Sequence, residues 1–178
     1  MSSEPPSGAL PFAITAQHFT AQAASRWRTP LAVLVLGGTL IAALSGILGG
    51  GAARHVEVRR PAVGGELVYD PIVRSGNWYE TTVSVRPAAD VKDLTVAVDD
   101  PLWQDMSIDT LAPDAESAES VDGRFRYHFG EVEAGKPFRL KLNGQIQPGM
   151  LRRQSGRIHV LDGDRTLLEF PVTLTVLP

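Results

Sequence analysis

The chain has 178 residues, with 17 Lys and Arg against 20 Asp and Glu and no cysteine. Lack of cysteine excludes a disulfide framework, a thiolate nucleophile and Cys-ligated zinc or iron–sulfur chemistry. From Glu57 onward 14 basic residues face 19 acidic ones, a net of about −5 with no basic stripe, which argues against a nucleic-acid partner.

Met1 to Gly8 (MSSEPPSG) is short, polar and Pro-rich, and is expected to be disordered. Phe12 to Trp27 can place Phe12, Phe19, Ala23 and Trp27 along one side of a helix lying on a membrane surface, with Trp27 at the interface. An unstructured tail fits the same residues. Thr29 to Ala53 then carries no Asp, Glu, Lys, Arg, His, Asn or Gln. A helix of about 20 apolar residues crosses the hydrocarbon core of a bilayer, so this run is read as a transmembrane helix. Within it Gly38, Ala42, Gly46 and Gly50 recur at every fourth position, and Leu36, Leu40, Leu44 and Leu48 recur two positions out of phase. Two positions correspond to roughly 200° of rotation, so the ladders occupy opposite faces of a helix. A smooth face beside a bulky one suits close packing on another membrane helix, although small residues are common in membrane helices generally.

Gly51-Ala52-Ala53 also offers the small residues of a signal-peptide cleavage site. The apolar run is longer than the usual h-region, which favours a retained anchor. Arg26 and Arg28 precede the span while Arg54, Arg59 and Arg60 follow it, so charge sets orientation only weakly. The expected topology has the N-terminus inside and the C-terminal domain on the extracytoplasmic side.

Residues 54–65 read as a juxtamembrane linker, in which HVEVRR looks extended and Pro61 and Gly64-Gly65 interrupt it. From Glu66 the apolar period changes to two. Val83 and Val85, then Leu94, Val96 and Val98, then Phe125, Tyr127 and Phe129 alternate with polar neighbours. Phe138, Leu140 and Leu142, then Ile158 and Val160, then Val172, Leu174 and Val176 continue the pattern. Strict alternation marks half-buried antiparallel strands. Turn residues separate them at Pro87–Asp90, Asp99-Asp100-Pro101, Asp122-Gly123, Ala134–Pro137, Gln147–Gly149 and Asp162–Asp164. Seven or eight short strands without a helix among them predict an antiparallel β-sandwich over 66–178.

FGEVEAGKPFRLKLNG, Phe129 to Gly144, ends one strand, turns through glycine and resumes alternation. In this it resembles bacterial membrane-anchored immunoglobulin-like modules, at the level of fold and over roughly the last 100 residues. The chain departs from antibody-type domains in lacking paired cysteines, so nothing about antigen-like recognition carries over. The resemblance implies adhesion, spacing or subunit contact at the bacterial cytoplasmic (inner) membrane, not one activity.

Catalytic and metal chemistry find little support in the sequence. His128 and His159 each sit between inward-facing residues and are expected to point outward as surface histidines. A metal pair would require their strands to be neighbours. The acidic residues from Asp99 to Asp122 lack the compact Asp-x-Asp-x-Asp-Gly spacing of a calcium loop and read as solvated charge. No Gly-rich phosphate loop or Gly-x-Ser-x-Gly elbow occurs. Trp78, Tyr79, Trp103 and Met106 form either a binding platform or part of the core; Trp103 reads as core and Trp78 as open between the two. Pro148 to Gly156 (PGMLRRQSG) places Met150 and Leu151 beside Arg152 and Arg153 at an expected hairpin tip, fit either to touch a partner or to remain a solvated turn.

The sequence therefore predicts an all-β protein: an immunoglobulin-like antiparallel β-sandwich (66–178) after a tail (1–28), one transmembrane α-helix (29–53) and a linker (54–65). No enzyme activity and no cofactor are expected. The expected partners are the lipid bilayer and either a membrane protein or a second copy. Contact would be through Gly38, Ala42, Gly46 and Gly50, with Trp78, Met150, Leu151, Arg152 and Arg153 as further contacts. An anchored ligand- or glycan-binding module is the competing expectation.

Overall fold

The computed structural model describes residues 17–46, 54–61, 63–149 and 151–178. The expected disordered tail at Met1 to Gly8, the start of the proposed interfacial helix, the possible cleavage site at Gly51–Ala53, Gly50 and Met150 all lie outside the described residues. The chain divides into two compact units, Met1–Ala43 and Leu44–Pro178.

α1, Gln17–Leu44, belongs to the first unit except for its last residue and runs through Pro30 without ending there. Gln17–Arg28, expected to precede the span, are thus continuous with it in one helix. Its C-terminus is also earlier than expected. Ser45 and Gly46 form a turn, and Gly46 has φ +74, the left-handed conformation with which glycine commonly closes a helix.

The second unit is a β-sandwich. One sheet has the order β1 (Arg54–Arg60), β2 (Val63–Tyr69), β4 (Trp78–Pro87), β9 (Phe138–Gln145) and β6 (Thr110–Ala112). The other has the order β3 (Ile72–Arg74), β11 (Arg165–Leu177), β10 (Arg153–Asp162), β5 (Leu94–Asp99), β8 (Arg124–His128) and β7 (Ser117–Val121). All pairs are antiparallel except β11 with β3. The inward residues of both sheets meet in one core: Leu67, Val83, Leu140 and Leu142 from the first face Leu94, Val96, Val160, Leu168 and Phe170 from the second. Each is fully buried, and each large side chain contributes about 1.5–3 kcal/mol by leaving water.

Of residues 54–65, expected to be a linker, Arg54–Arg60 instead form β1 and Val63–Gly65 begin β2, in antiparallel register from Arg54↔Tyr69 to Arg60↔Val63. The two glycines that looked like an interruption lie within β2. A Cβ on Gly65 would approach Leu168 Cδ1 to 2.5 Å and the Ser84 carbonyl oxygen to 3.0 Å, so the strand has no room for a side chain there. Asp99-Asp100-Pro101, expected as a turn, leads into a one-turn helix α2 (Asp100–Trp103), with Pro101 in its first turn where a missing N–H costs nothing. Leu102 and Trp103 on it are buried.

Candidate functional site

In α1 the stretch Trp27–Leu44 has a mean hydropathy of 1.6 over 18 residues and none of it is buried within the protein. It is long and apolar enough to cross a membrane. Of the predicted packing ladder, Gly38 and Ala42 lie on the helix, and a Cβ at Gly38 would meet nothing within 4 Å. Gly46 lies beyond the last helical residue, in the left-handed turn. The ladder thus does not continue as one helical face through Gly46: a residue at φ +74 has left the 3.6-residue repeat.

The second predicted contact, Pro148 to Gly156, is not a hairpin tip. β9 and β10 belong to different sheets, so this segment crosses from one to the other, and Arg153 already begins β10. Arg152 donates to the main-chain carbonyl and to Oε1 of Gln104, both at 3.2 Å, and pairs with Asp105 Oδ2 at 3.1 Å. Gln154 Nε2 donates to the same Gln104 carbonyl at 2.8 Å. The segment is therefore held against the end of α2, while Leu151 remains exposed. Beside it Asp100, Pro101, Trp103, Gln104, Asp105 and Phe125 line a hollow of about 440 Å³. Trp103 is core, as expected, with its ring tilted against Tyr127 at a centroid distance of 5.9 Å.

The alternation of β4 settles Trp78. Tyr79 turns inward and donates its hydroxyl to the Ser107 carbonyl at 3.0 Å, which leaves Trp78 on the outer face, 68% exposed. Burial pushes the Tyr79 phenol well above its ordinary pKa, with the neighbouring Tyr127 and Asp109 adding to the effect. Burial raises that of Tyr127 as well.

The outer face of the β5-containing sheet holds a polar network that the sequence did not reveal. Its rows follow from register: Arg126 and His159 both stand opposite Ala97, one on either side. The two histidine-bearing strands are thus separated by β5 and are not neighbours. His159 is not the expected surface histidine: it is 1% exposed although it faces away from the core. Its Nε2 lies 3.0 Å from Asp99 Oδ1, and its Nδ1 lies 3.7 Å from Glu169 Oε1. Asp99 is no solvated loop charge either, since it also accepts from Arg124 Nε at 3.3 Å and from the Arg157 amide at 2.8 Å. Arg126 reaches Asp164 at 3.1 Å and lies 4.0 Å from both Glu119 and Asp122. His128 Nδ1 lies 3.0 Å from Asp93 Oδ2 and 3.0 Å from Thr95 Oγ1. Among the described residues no three His, Cys, Asp or Glu converge as a metal site. The arrangement is a set of short polar contacts between neighbouring strands. It pins strands together.

No protein-family model matches the chain, and no curated protein matches it. Among solved structures it is similar to a non-cellulosomal cohesin from the hyperthermophilic archaeon Archaeoglobus fulgidus, at 7% identity and a TM-score of 0.40, covering 60% of this chain and 86% of that one. It is also similar to WR4, a C. elegans MSP family member, at 12% identity and a TM-score of 0.33, covering 60% and 93%. A third similarity is to the GAE domain of GGA2p from Saccharomyces cerevisiae, at 14% identity and a TM-score of 0.30, covering 70% and 98%. The sandwich architecture itself rests on the chain's own two sheets and shared core.

Proposed function

We propose that this chain is a single-pass protein of the bacterial inner membrane that acts as a non-catalytic accessory subunit. Its helix packs on a membrane partner or a second copy, and its extracytoplasmic sandwich caps or braces the assembly. The observation that carries this reading is the bare apolar helix. Leu31, Leu34, Leu36, Leu40 and Leu44 are each more than 60% exposed, and nothing among the described residues covers them. An apolar surface of that extent needs lipid or protein around it. Gly38 and Ala42 then let another helix approach closely.

The test is purification of the full chain in mild detergent with mass spectrometry of what accompanies it. Wild type should bring down a membrane protein or itself as an oligomer. Gly38→Leu combined with Ala42→Leu should reduce that yield severalfold, and an unchanged yield would remove the helix face from the reading. Gly46→Leu is a poor probe, because strain at its positive φ would confuse the result.

Trp78 favours a second reading, an anchored ligand- or glycan-binding module, since a ring 68% exposed on the outer face of its strand suits stacking on a sugar. Trp78→Ala should abolish retention on a cell-wall glycan in that case and leave helix-dependent assembly untouched.

A further inference from the structure

A groove of about 500 Å³ runs over the outer face of β2, β4 and β9, lined by Gly64, Glu66, Ser84, Arg86 and Arg139 among others. Cross-strand register arranges its polar groups in two rows. Gly64 and Arg86 stand opposite one another in the first, and Glu66, Ser84 and Arg139 in the second. Arg86 and Arg139 are therefore diagonal neighbours on one face, close enough for two long side chains to reach a common ligand.

Two features of this groove have no internal explanation. Arg124, Arg126, Arg152, Arg157 and Arg165 each pair with a carboxylate, in a domain where acids outnumber bases. The side chains of Arg86 and Arg139 are exposed and, like that of Arg153 outside the groove, have no hydrogen bond or ion pair among the described residues. Glu66, the carboxylate in the groove, is taken up by His55 at 2.8 Å. The second feature is Gly64. It is the second residue of β2, has no positive φ, and a Cβ there would meet nothing within 4 Å. Its neighbour Gly65 is explained by crowding from Leu168, but Gly64 is not. Glycine in a strand also marks a place where a ligand approaches the backbone.

We propose that this groove is a phosphate-binding site, with Arg86 and Arg139 holding the phosphate oxygens, the Ser84 hydroxyl donating to it and Gly64 leaving the floor open. Guanidinium forks match phosphate geometry and remain charged at every physiological pH. An acidic peptide fits less well: its successive carboxylates would face Glu66 and the net negative field of the domain, whereas one phosphate group concentrates its charge between the two arginines. The phosphate can belong to a small soluble molecule or to a lipid headgroup.

The full chain in neutral detergent should bind inorganic phosphate saturably, read by calorimetry or by amide shifts at Ser84 and Arg139. Arg86→Gln and Arg139→Gln should each weaken binding roughly tenfold or more. Gly64→Val should block it without lowering the melting temperature, which separates a filled groove from an unfolded domain. Lys92→Gln, a charge removal at an exposed site outside the groove, should change nothing. Inorganic phosphate binding that is competed away in nanodiscs containing phosphatidic acid assigns the site to a headgroup, and binding that persists there assigns it to a soluble phosphate. No saturable binding in detergent, or binding that survives Gly64→Val or the double arginine variant, overturns the proposal.

Discussion

Asp99 Oδ1 lies 3.0 Å from Nε2 of His159, an imidazole 1% exposed on the face of the sheet that points away from the core. The same carboxylate holds Arg124 and the main-chain amide of Arg157, so one side chain at the end of β5 ties β8 and β10 to it. Truncation would strand a shielded imidazole and an amide at once. Asp99→Ala should therefore cost about 2–4 kcal/mol, well above an ordinary surface substitution. Asp99→Asn keeps an acceptor and should cost less. Urea denaturation should show a lower midpoint with an unchanged slope. A loss below half a kilocalorie would mean that the network is decorative.

Gly64 and Gly65 are adjacent in β2 and should respond oppositely to the same change. At Gly65 an added methyl meets Leu168 Cδ1 at 2.5 Å, with Phe170 Cζ and the Ser84 carbonyl both at 3.0 Å. Leu168 and Phe170 are wholly buried and cannot swing aside, so Gly65→Ala should destabilise by about 1–3 kcal/mol. At Gly64 the methyl enters open space, and Gly64→Ala should be neutral or stabilising by up to about 1 kcal/mol. Thermal melts of the two variants side by side provide the check.

That contrast also shows where the sequence was legible. β4, β5, β8, β9 and β11 alternate strictly because each has one face in the core, and periodicity alone located them. β7, SAESV, is exposed throughout at the edge of its sheet, so no apolar rhythm could mark it. β2 was obscured because its two glycines read as breakers until the crowding at Gly65 is seen. The early end of α1 was written in Ser45-Gly46, a stop signal masked by a run of small residues that continues past it. The Asp99–His159 contact and the Arg86–Arg139 diagonal depend on which strands pair and in what register. Those relationships join residues 60 and 53 positions apart, and no local pattern encodes them.

Asp105 adopts φ +63, a left-handed conformation that side chains with a Cβ disfavour and that Asp tolerates better than most. It sits where α2 gives way to the contact with Arg152. Asp105→Val should cost about 1–2 kcal/mol through backbone strain alone. Asp105→Gly should be nearly neutral, because relief of that strain offsets a part-exposed ion pair worth about 0–1 kcal/mol. Denaturant midpoints that fall equally for both would place the effect in the ion pair and not in the backbone.

Tyr79 makes the domain sensitive to alkali. Its hydroxyl must stay protonated to donate to the Ser107 carbonyl, and burial holds its folded pKa well above the value of about 10 in an unfolded chain. The unfolded state therefore loses the phenolic proton first as pH rises. With fewer protons bound in the unfolded state, stability falls with pH, at up to about 1.4 kcal/mol per pH unit. The contribution is fully present below about pH 10 and disappears progressively above it, towards the folded pKa. Tyr79→Phe should lose about 1 kcal/mol at neutral pH, the worth of one hydrogen bond. Its melting temperature should then decline less steeply between about pH 10 and 12 than that of the wild type. Tyr127, also raised by burial, should leave a residual slope in that variant. Parallel pH profiles for the two proteins would show that the Tyr79 phenol ionises as easily in the fold as outside it.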